Sequence, residues 1–323
     1  MSQLSNDDRV PYGPRTTVRI ETVAAEHDGR RIDNFLLQLL KPAPKSLVYK
    51  LLRSGQIRVN SGRVKPDYRL VAGDLVRVPP VEVVVPGAIN IPAARIAQLE
   101  AAVLYEDSRF LILDKPAGMA CHGGTGIRYG VIEIARALRP TIARLDLVHR
   151  LDRDTSGCLV LSKQVDALRD LHQDIRLRQV EKRYCALLLG TLPPGIERIS
   201  AALANSRAPG RERRAAVDDD GKASETVFES ITPCGAHSLV ELRLITGRMH
   251  QIRAHALHIG HPVAGDRVYG DREFNAAMAE RGLNRLFLHA SSISFGSDQQ
   301  LITVAAPLPS ALQRVLTELG AGR

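Results

Sequence analysis

Apolar residues near the N-terminus recur at the spacing of an α-helix. Ile32, Phe35, Leu36 and Leu39 fall on one helical face, which predicts an amphipathic helix with that face buried. Pro42 follows the run and predicts the end of the helix, because proline disfavours continued helical backbone. The pattern therefore predicts one short helix packed against a core.

A second helix and a small sheet are predicted next. Ser46 can cap a helix over residues 47–54, and Gly55 predicts its end. The runs Ile57–Asn60 and Leu75–Val78 alternate between apolar and polar residues as strands do. Ser61-Gly62 supplies a turn after the first run, and Ala72-Gly73-Asp74 supplies a turn before the second. This segment therefore reads as two helices followed by a small, strongly bent sheet.

The remainder of the chain alternates between apolar strands and amphipathic helices. Strands are predicted at Leu111–Pro116, Cys158–Ser162, Tyr184–Leu189 and Leu239–Leu244. Helices are predicted at Val131–Leu138, Asp166–Arg178 and Met249–Ile259. Many strands with intervening helices predict an α+β domain with a mixed, largely antiparallel sheet.

The length of 323 residues indicates two or three domains. The predicted divisions are a disordered tail at 1–14, a compact basic unit at 15–80, a Val- and Pro-rich linker at 81–92 and a larger domain at 93–323. Apolar residues make up 44% of the chain and charged residues 24%, as in ordinary globular proteins. No apolar run reaches membrane-spanning length, and the polar N-terminus lacks a secretion signal core. Four widely separated cysteines favour a reduced, cytoplasmic protein over a disulfide framework.

The net charge of +9 favours a polyanionic partner. The segment from Lys41 to Arg77 contains nine basic residues and only two acidic ones, Asp67 and Asp74. This excess of positive charge is typical of a phosphate-binding surface. A solvated lysine-rich face is the alternative. The candidate RNA contacts in this unit are Lys50, Arg53 and Arg58.

The densest cluster of ionisable residues lies at His149–Gly157, where a histidine, two arginines and two aspartates fall within six successive positions. An apolar run follows immediately, so these charges stand beside a buried strand. Charges in such a place carry a free-energy cost unless they are paired or put to use. Positive charge nearby favours the ionised form of a carboxylate, which is the form that a nucleophile or general base requires.

The basic unit resembles the small RNA-binding module called the alpha-L motif, first described in a small-subunit ribosomal protein. The residues that carry the resemblance are Arg31–Leu36, Lys50–Gly55, Ile57–Asn60 and Ala72–Asp74. Such modules bind structured RNA by its backbone and shape rather than its sequence. The resemblance implies a small N-terminal RNA-binding domain.

The larger domain resembles the pseudouridine synthases of the RluA family. His149–Asp152 matches the family's catalytic signature, and Glu181–Tyr184, Thr246–Arg253 and Arg285–Ala290 match further segments in family order. The resemblance covers nearly the whole chain. It implies isomerisation of uridine to pseudouridine in large-subunit (23S) ribosomal RNA, with no cofactor. We further expect a cytoplasmic monomer with no metal and no membrane association.

The resemblance also implies roles for individual residues. Asp152 is expected to act on the ribose, as nucleophile or as base, and Arg253 to pair with its carboxylate. Tyr184 is expected to stack on the uracil and to share in removing the proton from the new carbon linkage. Arg150 is expected to fill the space left by a flipped base, and His149 is assigned to substrate binding with it.

A metal site, a phosphatase-type loop and a non-catalytic RNA-binding protein are the alternative interpretations of these segments. Four histidines (His250, His255, His258 and His261) crowd one segment and could indicate a metal, but no carboxylate or cysteine joins them nearby. Residues 152–155 loosely resemble the Asp-x-Asp-x-Thr loop of phosphatases, although the apolar strand here follows the loop. A non-catalytic RNA-binding assembly factor is the third alternative. The loop arginines Arg207, Arg211, Arg213 and Arg214 contact RNA or are simply solvated.

Overall fold

The computed structural model describes residues 9–11, 17–40, 43, 45–81, 84–86, 90–124, 126–206, 214–296 and 300–320. Most of the predicted tail, parts of the predicted linker, and Lys41, Pro42, Arg207, Arg211 and Arg213 lie outside these ranges. The chain divides into two compact units, Met1–Asn90 and Ile91–Arg323, and each is described by itself.

The first unit contains five short strands and two α-helices among the described residues. They are β1 (Arg9–Pro11), β2 (Arg19–Thr22), α1 (Ile32–Leu39), α2 (Lys45–Arg53), β3 (Arg58–Val59), β4 (Leu75–Val78) and β5 (Val84–Pro86), with a 3-10 turn at Ala25–His27. β4 pairs antiparallel with both β2 and β3, and β1 pairs antiparallel with β5. Two helices beside a small sheet agree with the predicted order.

The core of the first unit forms where α1 and α2 bury their apolar faces. α1 buries Ile32, Phe35 and Leu36, as the helical spacing predicted, while Leu39 is only partly buried. Between the helices, the Tyr49 hydroxyl on α2 donates to Asp33 on α1 at 2.8 Å. The two helices are therefore joined by apolar packing and by a hydrogen bond to a buried carboxylate.

The second unit is built on a ten-stranded sheet. Its strands, together with a separate hairpin, are β6 (Val103–Glu106), β7 (Phe110–Lys115), β8 (Asp146–Leu147), β9 (Ser156–Ser162), β10 (Glu181–Leu188), β11 (Arg198–Ser200), β12 (Leu203–Ser206), β13 (Arg214–Val217), β14 (Glu225–Cys234), β15 (His237–Leu244), β16 (Leu288–Phe295) and β17 (Ile302–Ala305). Its helices are α3 (Ala93–Glu100), α4 (Val131–Leu138), α5 (Val165–Arg176), α6 (Gln251–His258), α7 (Arg272–Glu280) and α8 (Ser310–Glu318). No helix among the described residues is long and apolar enough to cross a membrane.

The sheet runs in the order β11-β14-β15-β10-β16-β9-β7-β6, with β17 added beside β16 and β8 beside β9. β9 and β16 pair in parallel, and the other pairings among the described strands are antiparallel. β12 and β13 form the separate hairpin. The predicted α+β class with a largely antiparallel sheet is confirmed.

Helices cover both faces of this sheet. Tyr184, Ala186 and Leu188 of β10 point into the largest core cluster, which α4 and α6 cover. Leu187 points to the other face, where α7 and α8 pack. Because side chains alternate along a strand, one strand supplies both cores. The face of β10 that carries Tyr184 is the face on which the candidate site forms.

Gly157 lets β9 approach β16 closely just after the charged loop. Its φ is +108°, and a Cβ built on it would lie 2.2 Å from the backbone oxygen of Ala290. Glycine is therefore required there both for the backbone conformation and for the space. This close approach fixes where the loop containing Asp152 leaves the sheet.

Candidate active site

A cavity of about 900 Å³ opens on this face of the second unit. Its lining includes three of the predicted segments: the charged loop before β9, the start of β10, and the turn between β15 and α6. Residues from the segment 120–127 and from the end of α5 complete most of the wall. The volume lies within the usual range for small-ligand sites in proteins. The fold therefore brings together segments that are about a hundred residues apart in the sequence.

Asp152 and Arg253 form an ion pair in this cavity. Arg253 Nη1 donates to Asp152 Oδ2 at 3.1 Å. The Arg253 side chain is 9% exposed, whereas that of Asp152 is 26% exposed. The guanidinium thus lies behind the carboxylate and leaves part of the carboxylate open to the cavity, which is the pairing that the resemblance implies.

Asp266, which the sequence analysis did not single out, holds Arg253 from the opposite side. Arg253 donates through Nε to Asp266 Oδ2 at 2.6 Å and through Nη2 to Asp266 Oδ1 at 2.8 Å. The Asp266 side chain is fully buried and also accepts from the backbone N–H groups of Val268 and Tyr269. Burial alone would raise the pKa of Asp266, but the hydrogen bonds and charge of Arg253 and the two backbone N–H groups together outweigh it, and the pKa is lowered.

Tyr269 and His250 complete the surroundings of the ion pair. The Arg253 guanidinium lies over the Tyr269 ring, 4.9 Å from its centroid. The Tyr269 hydroxyl lies 3.0 Å from His250 Nδ1 and accepts from the backbone N–H of Ala215 at 2.7 Å. His250 Nε2 stands 3.8 Å from Asp152 Oδ1, so both carboxylate oxygens face a nitrogen-bearing side chain.

Tyr184 stands in the same cavity and is 7% exposed. Burial, followed by the negative charge of Asp152, raises the pKa of Tyr184 well above that of an ordinary tyrosine. The phenol is therefore protonated at neutral pH. An apolar ring with a neutral hydroxyl is suited to pack against a base.

Lys115 supports the charged loop from beneath. Its side chain is fully buried, and Nζ donates to the backbone oxygens of Pro116, Met119 and Arg153 at 2.9, 2.7 and 2.9 Å. Burial lowers the pKa of Lys115 to about 8. Because one donor group ties together two chain segments, Lys115 fixes the backbone next to Asp152.

His149 and Arg150 take different positions in the loop. His149 Nε2 accepts from the backbone N–H of Val160 at 3.2 Å, and burial lowers the pKa of His149 to about 3. The imidazole is therefore neutral above pH 4 and packs as part of the wall. Arg150 is exposed at the cavity lining. Their assignment to substrate binding stays a prediction.

Cationic side chains dominate the charge of the lining. They are Arg150, Arg153, Arg176, Arg178, Lys182, Arg248 and Arg253. Asp152 is the single carboxylate among the described lining residues. A cavity with this excess of positive charge attracts a polyanion and concentrates it at the one acidic group.

The remaining predicted contacts lie in the first unit. Lys50 and Arg53 stand on the last turn of α2 and are exposed. Arg58 on β3 is half-buried, and its guanidinium donates to the backbone oxygens of Gly55 and Ser61. These residues form a basic surface of their own, and their contact with RNA stays a prediction. Arg214, the described member of the loop arginines, begins β13 and is exposed.

The chain was compared with known families and proteins. The model described as RNA pseudouridylate synthase matches residues 109–258, and the S4 domain model matches residues 30–76. A relative named ribosomal large subunit pseudouridine synthase C from Yersinia pestis is 45% identical over 306 residues, covering 94% of this chain and 96% of the relative. The chain belongs to the RNA pseudouridylate synthase family.

Further relatives with the same name support a finer likeness within the synthase family. The protein of Haemophilus influenzae is 47% identical, covering 87% of this synthase and 88% of the relative. That of Escherichia coli K12 is 44% identical, covering 94% and 97%. The segments Lys65–Tyr68, Gly130–Glu133 and Tyr269–Phe274 of the sequence indicate the family member written RluC, and these relatives confirm that resemblance.

Solved structures agree with the fold of the synthase. Human RNA Pseudouridylate Synthase Domain Containing 4 has a TM-score of 0.59 at 21% identity and covers 70% of this chain and 96% of its own. Human RNA Pseudouridylate Synthase Domain Containing 1 has a TM-score of 0.55 at 25% identity and covers 72% and 98%. The family assignment also removes the phosphatase-type interpretation of residues 152–155.

Histidines of the Met249–Ile259 region and beyond make separate contacts in the synthase. His250 contacts Tyr269, His255 contacts Thr226 and the oxygen of Ala201, and His261 contacts the oxygen of Leu189. Among the described residues, no group of three His, Cys, Asp or Glu side chains is placed to hold a metal ion.

Proposed function

We propose that this pseudouridine synthase isomerises uridines of large-subunit ribosomal RNA, with Asp152 acting on the ribose of a flipped-out nucleotide. The observation that carries the proposal is the Asp152–Arg253 ion pair in a cavity whose charged lining residues are mostly cations. An ionised carboxylate is the group that the reaction needs, and the surrounding charge suits an RNA strand. The names of the synthase C relatives supply the substrate class.

The reaction is an internal rearrangement of one nucleotide. The bond between the ribose C1′ and uracil N1 breaks, the base turns, and C1′ bonds to uracil C5. The proton displaced from C5 is balanced by one gained at N1, so no group leaves. Because no electrons enter or leave, the proposal includes no redox cofactor.

Asp152 begins the chemistry either by bonding to the sugar carbon or by removing a sugar proton. In both cases the carboxylate must be ionised and correctly oriented. Arg253 serves the second requirement, since a guanidinium hydrogen bond restricts the rotation of the carboxylate. The partly exposed face of Asp152 is the face that meets the substrate.

Tyr184 and Arg150 are proposed to contact the target base and its vacated place. The Tyr184 ring packs against the uracil. The raised pKa of Tyr184 keeps the phenol protonated, which favours this packing role over that of a general base. To accept a proton from the base, the phenol would first have to lose its own. Arg150, exposed at the lining, is free to enter the stack that the nucleotide leaves. Unstacking costs a few kcal/mol, which these contacts offset.

The first unit, which matches the S4 domain, is proposed to bind ribosomal RNA through Lys50, Arg53 and Arg58. The proposed domain plan keeps the divisions at 1–14, 15–80, 81–92 and 93–323, with the strand β1 (Arg9–Pro11) inside the first segment and β5 (Val84–Pro86) inside the third. A monomer is proposed, as the sequence analysis expected. A ribosomal substrate favours a cytoplasmic location for the synthase.

Pseudouridine mapping tests this function. Purified wild-type protein is incubated with large-subunit ribosomal RNA, and new pseudouridines are located by carbodiimide modification and primer extension. A deletion strain should lack the same pseudouridines that its parent contains. Asp152→Asn should abolish isomerisation while RNA affinity stays within a few fold.

Asp219→Asn is the matched control, because Asp219 is exposed in a solvated turn outside the cavity lining. It should retain wild-type activity. Isomerisation that survives Asp152→Asn would contradict the proposed mechanism. Ribosomal RNA that gains no pseudouridine from the wild-type protein would contradict the substrate class, and the non-catalytic assembly factor would then be the better interpretation.

A further inference from the structure

Lys182 is a cation of the cavity with no role in the proposed mechanism. It lies on β10 two residues before Tyr184, so both side chains point to the same face of the sheet. Both also line the cavity. At the rise of an extended strand, the two positions are about 7 Å apart.

The Lys182 ammonium has no partner among the described residues. It makes no hydrogen bond there and no ion pair with a described carboxylate. Burial lowers the pKa of Lys182, and no described charge offsets that effect. A half-buried ammonium in this condition carries an uncompensated desolvation cost.

Two other lysines of the second unit show the contrast. Lys115 is fully buried and donates to three backbone oxygens. Lys163, with 13% of its side chain exposed, forms an ion pair with Glu106 and donates to the oxygen of Asp107. Both ammonium groups are satisfied by the protein, so the fold provides acceptors where a lysine is structural.

The neighbours of Lys182 leave its ammonium open to the cavity. Gly247 has no side chain, and a Cβ built on it would lie 3.6 Å from Lys182 Nζ. His149 is neutral because its pKa is about 3, so it supplies no negative charge. Asp152, the one lining carboxylate among the described residues, is paired with Arg253. The described lining therefore offers no carboxylate to the Lys182 ammonium.

We propose that Lys182 binds a phosphate of the RNA strand beside the nucleotide whose base packs at Tyr184. The proposal rests on the proposed function and adds a substrate contact to it. The distance of about 7 Å between the two positions suits a base at one and a backbone phosphate at the other. Arg176 and Arg178, which also line the cavity without a described carboxylate partner, extend the same cationic wall.

Steady-state kinetics of Lys182→Met on a large-subunit RNA transcript test this contact. The variant should raise KM about tenfold and leave kcat within about threefold of wild type, because the contact holds substrate and transition state alike. The slope of log(kcat/KM) against log[salt] should become shallower by about 0.7 to 0.9, the contribution of one phosphate. Lys182→Arg should restore both values.

Arg314→Met is the matched control, because Arg314 is an exposed cation on α8, which packs on the opposite face of the sheet. It should change neither KM nor the salt slope. A second arm uses RNA with a neutral methylphosphonate at either phosphate flanking a mapped target uridine. One of the two should cost the wild type about tenfold in KM and cost Lys182→Met less than about twofold.

The outcomes separate the possible roles of Lys182. An unchanged salt slope in Lys182→Met, or a methylphosphonate penalty equal in both proteins, would overturn the phosphate contact. A loss of kcat with unchanged KM would also overturn it and would point to a role in the chemistry. If the wild type forms no pseudouridine in the transcript, the proposed function fails, which is a different result from a failed contact.

Discussion

Asp266 and Arg253 form a buried two-point ion pair, and this pair leaves one guanidinium nitrogen for Asp152. Nε and Nη2 of Arg253 donate to the two oxygens of Asp266, while Nη1 donates to Asp152. Asp266 is itself fixed by two backbone N–H groups. The orientation of Asp152 is therefore set, through Arg253, by a residue that is not itself part of the cavity lining.

Asp266→Asn tests this relationship. An amide cannot accept both donors of Arg253 and removes the charge that balances a buried guanidinium. The free energy of unfolding should fall by about 3 kcal/mol, as for other broken buried pairs. The kcat should fall at least about tenfold, because Arg253 loses its orientation. Urea denaturation and single-turnover pseudouridine formation measure the two effects.

Asp271→Ala is the control for stability alone. Asp271 caps α7 by accepting from the backbone N–H of Phe274 at 2.8 Å, and it is not among the described residues that line the cavity. Its loss should cost about 1 kcal/mol of unfolding free energy with kcat unchanged. Wild-type kcat in Asp266→Asn would show that Asp266 has no part in orienting Arg253.

Gly157→Ala should destabilise the second unit severely. The new methyl group would stand 2.2 Å from the oxygen of Ala290, and φ at this position is +108°. Since β9 and β16 must separate to admit it, the expected loss exceeds about 3 kcal/mol. Thermal unfolding measures this loss.

Gly195→Ala is the matched control, since Gly195 also has a positive φ of +84° but no atom within 4 Å of a new Cβ. It should cost only about 1 kcal/mol; equal losses in both variants would refute the steric argument.

The buried imidazole of His149 predicts a dependence of stability on pH. Its folded pKa is about 3 against an ordinary 6.5, so between these values the unfolded chain binds a proton that the folded chain does not. The free energy of unfolding should therefore fall as pH drops from 6.5 toward 3, with a slope on the order of 1 kcal/mol per pH unit, and should be unaffected by this group above 6.5.

Urea denaturation of His149→Gln between pH 4.5 and pH 7 isolates this contribution. Glutamine can still accept from Val160 but does not titrate, so the slope should decrease. Burial also lowers the pKa of His255 and His289, and their share of the slope should persist. His122→Gln, at an exposed histidine, is the control. A slope that His149→Gln leaves unchanged would rule out His149 as a source.

The basic surface of the first unit predicts salt-dependent RNA binding. Replacing Lys50, Arg53 and Arg58 together with alanine should weaken binding to large-subunit RNA. It should also make the slope of log K against log[salt] shallower by about 2, as phosphate contacts are lost. Filter binding between about 50 and about 200 mM salt measures this slope. The Debye length is about 10 Å near the middle of that range. Arg281→Ala in the second unit should leave the slope unchanged, and an unchanged slope in the triple variant would exclude this surface as the anchor.

Local patterns in the sequence determined most elements, and the resemblance to a known family supplied the proposed reactive groups. α4 spans Val131–Leu138 as its helical spacing predicted, and β9 is buried along its length as the apolar run predicted. Asp152, Tyr184 and Arg253 were identified because their neighbours form a dense and ordered set of motifs. These signals lie within a few residues of one another, so they can be found without a structure.

Only the tertiary structure decided which of these groups meet and what holds them. Arg253 reaches Asp152 across 101 positions of sequence, and Asp266 carries no local signal that marks it as the second carboxylate of Arg253. In the sequence, Lys182 is one lysine of a basic run. The structure shows in addition that its ammonium lacks an acceptor among the described residues. Hydrophobic alternation specifies which face of a strand is buried but not which strand lies beside it. The order of strands in the sheet therefore determines the contacts on which the chemistry depends.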